Sequence, residues 1–241
     1  MKMNFAVLFL GVLLLNLFAF ITIKLRPKIF RVKIFKPMIW NFKLSILPLF
    51  ILLINLFVTL LFLWLGAYFE LAFLSILGCV MFFVGLLIWM LFLPNSGYLI
   101  TELNLTHRDE DEKEVPIWYD IVSVLSFSLS GIVNTLANIA VIQLSFMIIF
   151  DPKPSAASVY NTVLFVSAFG IILFIVTGIY LGRAIRFNSW DVLHPGSFFK
   201  KLKAHFSRQG SFKELILYII INTIFFMIMY VLLGIPFYYT M

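Results

Sequence analysis

Three short polar motifs, each at the edge of a long apolar run, hold the side chains best suited to chemistry. The first, Pro94 to Leu103, carries Asn95 and Glu102. The second, Pro116 to Asp120, ends in its carboxylate, and the third, Gly182 to Asp191, carries Arg183, Arg186, Asn188 and Asp191. Together they offer carboxylates able to act as a general base and guanidiniums able to hold a phosphate or another anion. Arg183 and Arg186 lie one helical turn apart and would share a face. They would clamp an anion, pair with Asp120 or Glu102 (Glu102 with Arg183 is the preferred contact), or snorkel to headgroups as plain anchors. Asp120 and Asp191 also have a simpler reading as carboxylates at helix N-termini.

A second constellation is spread along one apolar run. Ser126, Ser130, Asn134 and Asn138 recur every four residues, so they form a slowly turning polar stripe on a helix. Ser123, Ser128, Thr135 and Gln143 lie in the same run, and Asn16, Asn55, Asn161 and Asn222 add single amides to other apolar runs. Such groups either line a hydrated path for a solute or cross-link helices through hydrogen bonds worth about 1 kcal/mol each. No ionisable side chain falls near the middle of any run, which argues against a proton relay. The three histidines are isolated, no nucleophile elbow or phosphate-binding glycine loop is present, and Cys79 is a lone apolar-stretch thiol. Neither a metal nor a cofactor is expected.

The elements that must position these groups are membrane helices. Hydrophobic residues fill 63% of the 241 positions, charged residues only 12%, and mean hydropathy is +1.07. Apolar runs of about twenty residues satisfy their own backbone hydrogen bonds as helices that cross a bilayer. Six spans are expected: Asn4 to Ile23, Leu44 to Leu65, Leu71 to Leu93, Ile117 to Phe150, Val159 to Gly182 and Leu215 to Leu233. The fold class is therefore all-α, a polytopic bundle over residues 1–241 as a single integral membrane domain. The fourth run, about 50 Å long as one helix, would give seven spans if it broke near Gly131 to Asn134; one tilted helix is favoured.

Lysine and arginine set the orientation. One tract runs from Lys24 to Lys43 and the other from Arg183 to Lys213, and six spans put both on one side, the cytoplasmic one by the positive-inside rule. Both termini then lie outside. The net charge of +7 sits beside apolar runs, so the expected partners are membrane lipids with anionic headgroups, and nucleic acid is not expected. Ile29 to Phe42 and Ser197 to Ser211 read either as in-plane amphipathic segments or as basic connectors. Gly178 and Gly182 have close-packing spacing, for packing within the bundle or for a homo- or hetro-oligomer.

The motifs Leu93 to Leu103, Val115 to Asp120 with Leu125-Ser126-Phe127, and Gly178 to Arg183 through Arg186 to Asp191 resemble those of a bacterial integral-membrane family of unknown function, DUF1361. The resemblance covers roughly the last two thirds of the chain and implies a multi-pass protein of a bacterial plasma membrane. It carries no activity, cofactor or substrate. Three roles remain open: handling of a small polar or anionic solute, lipid-headgroup binding or processing at the cytoplasmic face, and service as a structural or regulatory subunit of a membrane complex.

Overall fold

The computed structural model describes residues 5–33, 36–102, 115–150, 157–185 and 195–233. Helix α1 spans Phe5–Phe30, α2 Lys36–Tyr68 and α3 Ala72–Phe92; a 3-10 segment, Leu93–Glu102, follows α3 directly. Then come α4, Ile117–Phe150, α5, Ala157–Ala184, α6, Pro195–Phe206, and α7, Ser211–Leu232. No strand occurs among the described residues, and six helices are long and apolar enough to cross a membrane. The chain forms two compact units, Met1–Pro152 and Lys153–Met241.

The fourth run is one unbroken helix of 34 residues. It is also the buried centre of the first unit: 67% of its most apolar stretch is covered, against 17–33% in the other five spans. Gly131 does not break it. A Cβ there would stand 2.8 Å from the Cβ of Leu99 and 3.4 Å from the carbonyl oxygen of Ser96, so this glycine lets the 3-10 segment lie close against α4.

That ten-residue 3-10 segment is long for its kind, since poorer hydrogen-bond geometry keeps most such stretches to three or four residues. Pro94 lacks the N–H an α-helix would use, and the chain tightens there. Side chains from other helices then take up its carbonyls. Ser45 Oγ of α2 donates to Ser96 O at 2.7 Å, and Ser128 Oγ of α4 donates to Leu99 O at 3.3 Å. Around these bonds Ala19, Ile23, Met38, Phe42, Leu99, Val124 and Phe127 form the apolar core where α1, α2, α4 and the 3-10 segment meet.

Helices α2 and α3 pack through small residues. A Cβ on Gly78 would meet Phe62 Cβ at 3.0 Å and Thr59 O at 3.3 Å, while one on Gly66 or Gly85 would run into Ser75 or Asn55. The turn between them has Leu71 N–H donating to Gly66 O at 2.9 Å, with Glu70 in the left-handed region. In the second unit α5 and α7 pair antiparallel, with Phe165 edge-on to Tyr230 near one end and Tyr180 Oη donating to Ser211 O at the other.

The stretch Ile29 to Phe42, read as an in-plane segment or as a basic connector, is not an element of its own. Its first two residues end α1, Arg31 follows with φ 55°, and Lys36 onward belongs to α2. The helix period explains this: Met38, Phe42 and Ser45 continue the buried seam of α2. The basic stretch after residue 195, by contrast, does contain an amphipathic helix, α6.

Two glycines make a matched test. Gly131→Ala should lower stability in detergent by about 1–3 kcal/mol through overpacking against Leu99. Gly170→Ala, whose added Cβ meets nothing within 4 Å, should match or slightly exceed the parent protein in the same thermal unfolding assay.

Candidate functional site

The polar centre of the first unit is assembled by the 4-3-4-3 spacing of α1. Val12, Asn16, Ala19, Ile23 and Arg26 fall on one seam and are all buried. Arg26 thus ends up 7% exposed, inside a tract that otherwise faces outward. Its Nε donates to Oδ1 of Asp120 at 2.9 Å, and Asp120 is 1% exposed in the first turn of α4. Next to the ion pair, Tyr119 Oη donates to Thr22 O at 2.7 Å and Ser123 Oγ to Thr22 Oγ1 at 3.3 Å. The ring of Phe30 stands edge-on to Tyr119 at 4.9 Å.

Further along, Asn16 and Asn134 exchange amide hydrogen bonds. Asn16 Nδ2 donates to Asn134 Oδ1 at 2.7 Å, and Asn134 Nδ2 donates back to Asn16 Oδ1 at 3.0 Å. Asn134 Nδ2 also reaches Ser45 Oγ at 3.0 Å, which carries the network on to Ser96. Ser96 Oγ lies 3.1 Å from Thr135 Oγ1. One turn on, Asn138 accepts from Trp89 Nε1 at 2.8 Å and donates to the carbonyl of Asn134. Each of these groups is buried. Elements α1, α2, α3, α4 and the 3-10 segment are all tied into this one hydrogen-bonded ladder.

The order of contacts, Arg26 with Asp120 and Asn16 with Asn134, makes α1 and α4 antiparallel. That is what alternation over four spans requires. In chemical terms the amides and hydroxyls of the ladder bond to one another, and the guanidinium and carboxylate neutralise each other.

The expected site residues separate accordingly. Asp120, Asn134 and Asn138 make contacts between helices, whereas Ser126 and Ser130 bond back to carbonyls of their own helix, Ser123 O and Phe127 O. Asn95 is half-buried in the 3-10 segment, and Glu102 ends that segment, its side chain outside the described residues. Arg183 is exposed at the end of α5; Arg186, Asn188 and Asp191 lie outside the described residues, as does a Glu102–Arg183 contact. Gly178 and Gly182 are half-buried on α5. Among the described residues no group of His, Cys, Asp and Glu has the makings of a metal site.

Sequence reasoning missed Arg26. It was counted with the surface cations of its tract, and Asp120 was matched to Arg183, Arg186 or a helix dipole instead. The signal was the seam itself: continuing the Val12, Asn16, Ala19, Ile23 spacing by three residues lands on Arg26.

A family profile described as protein of unknown function (DUF1361) matches residues 40–231, about four fifths of the 241 residues, and the chain belongs to that family. No curated protein and no solved structure matches it. Helix α1, with Asn16 and Arg26, precedes the matched stretch, whereas Asp120 and Asn134 fall within it.

Breaking the ion pair from one side strands a buried charge. Asp120→Ala is expected to cost about 3–5 kcal/mol in thermal unfolding, and Arg26→Met with Asp120→Leu should recover most of that loss. A double variant as unstable as Asp120→Ala alone would show that the pair contributes something other than mutual neutralisation.

Proposed function

We propose that this DUF1361 protein is a structural or regulatory subunit of a membrane complex, working through contacts made within the bilayer. The observation that carries this reading is the commitment of the α4 stripe: Asn134 and Asn138 spend their amides on Asn16, Ser45, Trp89 and the α4 backbone. A solute path needs polar groups that exchange partners with the solute. Opening this ladder would forfeit several interhelical bonds, each worth about 0.6–2 kcal/mol in a membrane protein. The ladder instead favours a stiff block that holds its shape while its lipid-facing helices meet other chains. The reading includes a bacterial plasma membrane, both basic tracts on the cytoplasmic side, and both termini outside.

The experiment is reconstitution of the full chain in vesicles, paired with photo-crosslinking in cells from exposed α3 positions such as Phe73 and Leu87. No solute flux above empty vesicles, together with one discrete hetero-adduct, is the expected result. Uptake of a solute that Asn134→Leu abolishes at unchanged membrane abundance would overturn the proposal in favour of a conduit. For the orientation, single cysteines placed at Lys33 and Lys203 in a Cys79→Ala background should both react with an impermeant thiol reagent only after the cytoplasmic face is opened. Reaction of either from outside would reverse the assignment.

A further inference from the structure

The second unit carries a surface that the subunit reading does not use. Helix α6 is amphipathic: Phe198, Leu202, His205 and Phe206 turn to one side and are half-buried, Lys200 and Lys203 are exposed on the other, and Lys201 is exposed at the flank. It is fixed in place. His205 Nε2 lies 2.9 Å from Tyr180 Oη of α5, and the same hydroxyl donates to Ser211 O in the first turn of α7. The ring of Phe206 stands 6.4 Å from that of Phe212, also in the first turn of α7. Because α7 continues from there as an apolar span, α6 is held beside the end of that span.

Two further features define what such a surface receives. Phe199 and Phe212 are 64% and 65% exposed, large rings presented at the end of a membrane helix. Over residues 195–214, Lys200, Lys201, Lys203, Arg208 and Lys213 face a single acid, Glu214. All six of these charged side chains are exposed. Exposed phenyl rings beside a row of cations are the chemistry of a helix lying in a headgroup layer, rings among the upper acyl chains and ammonium groups at the phosphates. We propose that α6 and the first turn of α7 form a binding surface for the anionic headgroups of a lipid leaflet, such as phosphatidylglycerol. The Tyr180–His205 contact positions the helix; the lysines select the lipid.

The test uses the full chain with Cys79→Ala and Ala204→Cys, a fluorophore on the new thiol, in phosphatidylcholine vesicles containing phosphatidylglycerol. Bromine is placed on the acyl chains of one lipid or the other. Brominated phosphatidylglycerol should quench at least about threefold more than brominated phosphatidylcholine at matched mole fraction. That preference should fall towards one in Lys200→Gln/Lys201→Gln/Lys203→Gln. It should also fall in the unsubstituted lysine background when salt rises from about 10 mM to about 500 mM, which shortens the screening length to a few ångströms. Equal quenching by the two lipids at low salt, or none by either, overturns the proposal. So does loss of the preference on adding inorganic phosphate at constant ionic strength, which would mark a site for small anions instead. None of these outcomes depends on finding a partner chain, so the surface and the subunit role stand or fall separately.

Discussion

A polar side chain buried between helices in an apolar slab has no water to fall back on, and this constraint organises the first unit. Arg26 and Asp120 meet it by neutralising each other at 2.9 Å; Asn16 and Asn134 meet it by exchanging amide bonds. Each solution needs its partner on another helix, so satisfying the side chain and fixing the helix are the same event. Helix α4 carries most of these groups, and it is the helix with the most buried surface. Leaving any of them unpaired in a low-dielectric interior costs more than the bond itself contributes.

Close backbone approach is the second condition, and it is supplied by glycine. The bond from Ser128 to Leu99 O and the Ser96–Thr135 contact require the 3-10 segment to run against α4, and Gly131 removes the side chain that would hold them apart. Gly66, Gly78 and Gly85 do the same for α2 and α3, where Asn55 Nδ2 reaches Phe82 O at 3.1 Å. Without a hydrophobic driving force between helices already in lipid, such contacts and bonds carry much of the association. The irregular stretch Leu93–Glu102 is tolerable for the same reason, because side chains from α2 and α4 take up its carbonyls.

Hydropathy made the six spans legible in the sequence, since a twenty-residue apolar run has few other uses. The continuity of the fourth was only the favoured of two readings, because Gly131 and Asn134 also offered a break; the chain keeps one helix there. The site was legible only in part. Asn134 and Asn138 stood out as a stripe, but spacing along one helix says nothing about whether the facing surface is water or another amide. Glu102, Arg183, Arg186, Asn188 and Asp191 were grouped because they flank spans expected to end on one side, and end-of-span position does not specify a contact. Arg26 was hidden by its neighbours, Lys24 and Lys28, which are exposed as a surface tract demands.

Burial of Arg26 changes the reading of the site without disturbing the reading of topology. A guanidinium paired inside the bundle no longer contributes to the surface field, so the first tract loses one cation from its outward count. Lys24, Lys28, Arg31, Lys33, Lys36 and Lys43 remain exposed there. In the proposed topology the opposite side would hold only Lys2 and Lys153 of the sequence's cations. The charge asymmetry on which the proposed orientation rests is therefore insensitive to which arginine is used internally. The position of Asp120 is not: a carboxylate at the entrance of α4 is retained in a buried setting only because α1 extends far enough, past Thr22 to Phe30, to bring a permanent cation to it.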